Sequence, residues 1–117
     1  MRILDAHNHY QQRGGEDAVF EHETAMLESA GHDVRRYAVH NDAIDGFVSK
    51  AETFATAPYS KASRKAFEHE LASIEPDVVH VHNYFPLLTP SVSYACTALG
   101  IPVVHTLHNF RMMCANG

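Results

Sequence analysis

Histidine and asparagine stand side by side in His7-Asn8-His9, His82-Asn83 and His108-Asn109 of this 117-residue chain. An imidazole can bind a metal, hold or pass a proton, or donate to a developing negative charge, and a neighbouring amide can orient a hydroxyl. His7 and His9 share one face of any strand that carries them, as do His80 and His82, so either pair has the spacing of metal ligands. For His80 the ordinary alternative is a hydrogen-bonded histidine within the strand. His82 and His108 lie nearer the strand ends, where function is the better reading. His105, three residues before His108, falls on the opposite face, and His22, His32, His40 and His69 read as surface residues without a role.

A second feature is Gly14-Gly15, ahead of a helical pattern that begins at Glu16. Glycines let a ligand approach the backbone, and the first N–H groups of a helix attract a phosphate. The pair lacks the G-x-G-x-x-G fingerprint and the Walker lysine. A tight turn requiring positive φ is the competing explanation. Glu16 and Asp17 suit the helix dipole when no anion is bound, and would compete with one that is.

The elements that must position these residues follow from periodicity. Arg2 to His7 predicts a strand. Val19, Phe20, Glu23, Met26, Leu27 and Ala30 predict the buried face of a helix that Gly31 stops. A strand follows over 33–39. Ile44, Phe47, Val48, Ala51, Phe54 and Ala55 predict a helix ended by Pro58, and Phe67, Leu71 and Ile74 another, closed by Pro76. Residues 77–82 form a β-branched strand. Thr89-Pro90 caps a helix that stops at Gly100, and residues 101–107 give a fourth strand with Pro102 at its edge. Strands alternating with helices predict an α/β fold, a Rossmann-like parallel sheet of about four strands with helices on both faces. Ligands of such sheets bind beyond the carboxyl ends of the strands, where the His-Asn pairs fall.

Composition sets outer limits. The length fits one domain spanning 1–117, and 45% hydrophobic with 20% charged residues can build a core. A net charge of −5, with Arg35-Arg36 and Arg64-Lys65 as the only basic pairs, excludes a nucleic-acid binder. No apolar run approaches the roughly 18 residues of a membrane span. The start runs directly into Asp5 and His7 without a signal-peptide core, and Cys96 and Cys114 read as reduced thiols, so a cytoplasmic location is expected. The fourth strand is followed only by His108 to Gly117, which leads us to expect a truncated domain.

With these segments placed, the chain resembles the N-terminal half of the GT-B fold in family 4 (group 1) glycosyltransferases. The resemblance is carried by Arg2-Ile3-Leu4 running to His9, the loop Arg13-Gly14-Gly15-Glu16-Asp17, and Ala30-Gly31-His32-Asp33-Val34. It continues through Pro76 to Asn83, Phe85-Pro86-Leu87-Leu88, and Pro102 to Asn109. It implies the acceptor-side domain of a retaining enzyme that moves a sugar from a nucleotide-diphosphate sugar to a hydroxyl of a glycan, a lipid or a small molecule. It also implies no cofactor and no required metal. By the same resemblance Gly14 and Gly15 meet the donor diphosphate, and His108 contacts the donor sugar and helps orient it. His82, Asn83 and Asn109 become acceptor or sugar contacts. Peripheral membrane contact through a longer protein and self-association through an uncovered sheet edge are compatible with it. The chain departs from the family pattern in having no second domain and no E-x7-E glutamate pair, so alone it is expected to be inactive.

Two rival readings stand beside this one. Asp5-Ala6-His7-Asn8-His9 is similar to the D-x-H-x-H strand of amidohydrolases, in which two histidines hold zinc and activate water. Those enzymes need an eight-stranded barrel of about 250 residues. The other rival is a non-catalytic binding or assembly module.

Overall fold

The computed structural model describes residues 1–9, 14–40, 61–83, 88 and 90–108. The elements run β1 (Arg2–His9), α1 (Gly15–Ser29), β2 (Asp33–His40), α2 (Lys61–Ile74), β3 (Val78–Val81), α3 (Ser91–Ala98) and β4 (Val103–His105). The helix expected over 44–55, and Asn109 and Cys114, lie outside the described residues. All four strands are parallel, in the order β2-β1-β3-β4. The chain thus builds outward from β1 in one direction and then, from β3 onward, in the other. That reversal leaves a crevice beyond the carboxyl ends of β1 and β3.

The two faces of the sheet are chemically different. Leu4, Ala6, Val79 and Val81 form one face and pack with Phe67 and Leu71 of α2, Leu88, and Val92, Ala95 and Cys96 of α3. The opposite face carries Asp5, His7, His80 and His82, and α1 covers it. This corrects the apolar stripe expected of α1. Its buried residues are Asp17, Phe20 and Thr24, whereas Val19 and Met26 are exposed. A polar sheet face needs a helix that can return hydrogen bonds, so a threonine and an aspartate stand where an apolar pattern would place hydrophobes.

Other boundaries differ in small, explicable ways. α3 begins at Ser91 with Pro90 at the cap, one residue later than expected. β4 has only three residues. Pairing nevertheless continues past both its ends, because the Pro102 carbonyl accepts from Val79 N–H and Thr106 N–H donates to the Val81 carbonyl. Gly31 (φ +90°) ends α1 and Gly100 (φ +69°) follows α3 as predicted. At the amino end of the sheet Arg2 ties three segments together. Its backbone N–H donates to Asp77, its guanidinium donates to the Ile74 carbonyl, and it pairs with Asp33. No helix among the described residues is long and apolar enough to cross a membrane.

Cys96 is buried in this core, and burial pushes its thiol up to about 11. With Cys114 replaced by serine, the folded chain is expected to react with a thiol reagent at neutral pH at least a hundredfold more slowly than the chain in denaturant. Equal rates would show that the α3 face opens readily.

Candidate functional site

The crevice is lined first by the end of β1. His7 Nε2 and His9 Nδ1 lie 2.7 and 2.6 Å from the same Asp17 oxygen. The other Asp17 oxygen accepts the Gly14 N–H at 2.8 Å. Asp17 is the third residue of α1, and its reach back to the residue before the helix is one half of a capping box. Gly14 has no side chain to complete the other half. Burial alone would raise the Asp17 carboxyl, but the bonds from Gly14, His7 and His9 outweigh it and hold it below the ordinary aspartate value. His7 is fully buried and stacks on Phe20 with ring centres 4.9 Å apart. Desolvation lowers its pKa despite the Asp17 partner, so it is a neutral donor at pH 7.

The end of β3 supplies the second part. His82 is 1% exposed, and its Nδ1 lies 3.3 Å from His108 Nε2, the rings stacked at 20° with centres 5.5 Å apart. One of the two facing nitrogens carries the proton and the other the lone pair. Burial and the neighbouring His82 lower the His108 pKa, while the Glu16 and Glu23 carboxylates oppose the shift. Glu16 belongs to the first turn of α1; His108 follows β4 and α1 follows β1, so both lie at the carboxyl end of the parallel sheet. Behind His82, its Nε2 sits 3.1 Å from Asp5 Oδ1, the closest approach in a group that also contains His80 and Glu23.

Gly14 is extended (φ −115°) and Gly15 opens α1. The left-handed glycines among the described residues are Gly31 and Gly100, so the tight-turn explanation of Gly14-Gly15 fails. A Cβ at Gly15 would meet nothing within 4 Å, and at Gly14 only the end of the Glu16 side chain, at 3.2 Å. Among the described residues, nothing crowds Gly15 at the start of α1.

Of the residues singled out from sequence, His82, His108, Gly14 and Gly15 therefore gather at one end of the sheet. Asn83 is buried. Its side chain donates to the Asn8 carbonyl, and its own carbonyl accepts the Asn8 N–H, which fastens the ends of β1 and β3. Asn109 lies outside the described residues. Sequence reasoning missed Asp17 as the hub and Glu23, Thr24 and Thr106 as partners. For Asp17 a signal existed, the three-residue interval from Gly14 that a capping box requires. The amidohydrolase reading is overturned. His7 and His9 turn to Asp17 whereas Asp5 turns to β3, and the sheet is open, with β2 and β4 at its edges, rather than a closed barrel.

The family model described as Glycosyltransferase Family 4 matches residues 3–112. The chain belongs to this family. Its parallel sheet with helices on both faces is the Rossmann-like half of a GT-B fold. This family 4 domain is also similar in structure to the UDP-GlcNAc 2-epimerase from Methanocaldococcus jannaschii. The TM-score is 0.64 at 16% identity, over 97% of this chain and 34% of that one. At that identity the likeness is one of fold, and the domain spans about a third of the epimerase's length. No curated protein matches the domain in sequence.

Proposed function

We propose that this family 4 domain is the acceptor side of a retaining glycosyltransferase that uses a nucleotide-diphosphate sugar and a hydroxyl acceptor. The observation that supports it best is that the half-buried imidazole of His108 and the amino end of α1 with its two glycines lie at the same end of the parallel sheet. On this reading the first N–H groups of α1, which have no carbonyl partner within the helix, meet the donor diphosphate. Glu16 must swing aside as the phosphate arrives. His108, neutral at physiological pH, donates a hydrogen bond to the donor sugar and fixes its orientation while the leaving phosphate takes the acceptor's proton. His82 is too deeply buried to touch a sugar directly and acts through His108. Asn83, buried and bonded to the Asn8 carbonyl, acts by holding the ends of β1 and β3 together, and the acceptor contact that the family resemblance implies falls to Asn109. The setting is cytoplasmic.

The diphosphate and nucleotide need a second face across the cleft. Alone, the 117-residue chain is expected to transfer no sugar from a panel of nucleotide-diphosphate sugars. Joined to the donor-side half of a family 4 enzyme it transfers, and His108→Ala then lowers kcat by roughly a hundredfold with little change in donor KM. Turnover by the isolated chain, or full activity in the His108→Ala protein, would refute the proposal.

A further inference from the structure

Beneath α1, three buried polar atoms face one another without a hydrogen bond: Asp5 Oδ1, Glu23 Oε2 and His82 Nε2. Asp5 is fully buried and His82 is 1% exposed. Leaving such atoms unpaired is costly, so the arrangement calls for a missing partner. His82 Nε2 lies 3.1 Å from Asp5 Oδ1 and 3.5 Å from Glu23 Oε2, and His80 Nδ1 lies 3.5 Å from Asp5 Oδ1. Ligands about 2.0–2.1 Å from a tetrahedral zinc ion are separated from one another by roughly 3.3–3.4 Å. The spacings among Asp5, His80 Nδ1 and His82 Nε2 bracket that value, and Glu23, 3.5 Å from His82 Nε2 and 3.7 Å from the outer His80 nitrogen, turns its side chain to complete the set.

Three of the four groups are also gripped at their far ends. Asp5 Oδ2 accepts from Thr24 Oγ1 at 2.6 Å. His80 Nε2 is 2.7 Å from Thr106 Oγ1, and His82 Nδ1 faces His108. Partners on the outer atom are what orient imidazole and carboxylate ligands toward a metal. The nearby His7, His9 and Asp17 make an instructive contrast. There the facing atoms already bond one another at 2.6–2.7 Å, and the buried atom left unpaired, His7 Nδ1, is on the other side of its ring from Asp17.

We propose that Asp5, His80, His82 and Glu23 bind one zinc-class divalent cation between α1 and the sheet. Two imidazoles with two carboxylates favour zinc over magnesium or calcium, which prefer oxygen alone. With four protein ligands in a closed space the ion is structural, pinning α1 to β1 and β3. The inference does not depend on the sugar-transfer reading.

The test is calorimetric titration of the chelator-stripped 117-residue chain with zinc chloride, together with visible absorption after cobalt(II) is added. One site, a tetrahedral cobalt spectrum and a raised melting temperature are expected. Asp5→Asn and His80→Gln are each expected to weaken zinc binding at least a hundredfold, with folding checked by circular dichroism. His80→Gln, at a half-buried position, decides the matter if Asp5→Asn does not fold. A His22→Ala/His69→Ala chain, altered at exposed helix positions, is expected to bind zinc unchanged. Absence of zinc binding at micromolar concentration, or binding that survives His80→Gln but is lost with His22 and His69, would overturn the proposal.

Discussion

Replacing Asp17 by alanine is expected to remove about 3 kcal/mol of unfolding free energy and to lower the melting temperature by roughly 10 °C. One carboxylate accepts from His7, His9 and the Gly14 backbone. Its loss strands the fully buried His7 Nε2–H and unfastens the start of α1 in one stroke. Asp17→Asn keeps one acceptor oxygen and is expected to recover about half of the difference. The effect has a pH signature. A carboxyl held below its ordinary value of 3.8 contributes stability that is complete above that value and is lost as pH falls through the folded one. Urea melts of the two proteins should therefore differ fully from neutrality down to about pH 5 and converge in stronger acid. A difference under about 1 kcal/mol at pH 7, or one that grows in acid, would show that Asp17 is not the hub.

Phe67→Ala strikes the opposite face of the sheet and is expected to cost more, about 4 kcal/mol. Phe67 is fully buried among Leu4, Leu71, Val79 and Val81, and its ring meets that of Tyr37 nearly edge-on, with centres 5.1 Å apart. Leu4, Leu71, Val79 and Val81 are aliphatic, so water gains little by entering the space left. With a typical domain stability of about 5–15 kcal/mol, the variant should unfold at a markedly lower urea concentration with an unchanged slope. Phe67→Leu should lose less than half as much. If alanine proved nearly neutral, α2 would not be the lid of the core.

The architecture was legible because it rests on local signals. The β-branched run before His82, the glycines after two helices and the strand–helix alternation each act within a few residues. What stayed hidden was which face of α1 turns inward. Of the expected stripe Phe20 is buried, yet Val19 and Met26 are exposed and Thr24 turns inward beside it, since the helix's neighbour is Asp5 rather than a leucine. That choice is made by a strand some twenty residues away and leaves no mark in the helix's own periodicity. The same limit applied to the site. His82 and His108 were found as strand-end histidines, but their mutual stacking depends on the alignment of β3 with β4. Thr106, which holds His80, looked like an ordinary strand residue.

Of the four strands, β1 is synthesised first and lies inside the sheet. β1 can pair with β2 as soon as residues 33–40 follow it, but its other edge waits for β3, and Arg2 waits for Asp77, 75 positions later. Until then the nascent chain carries an open β-edge and an unburied apolar face. Folding of this domain therefore includes a long-range closure between β1 and β3, and slow translation through residues 41–77 is expected to prolong the interval in which chaperones or like chains can capture that edge.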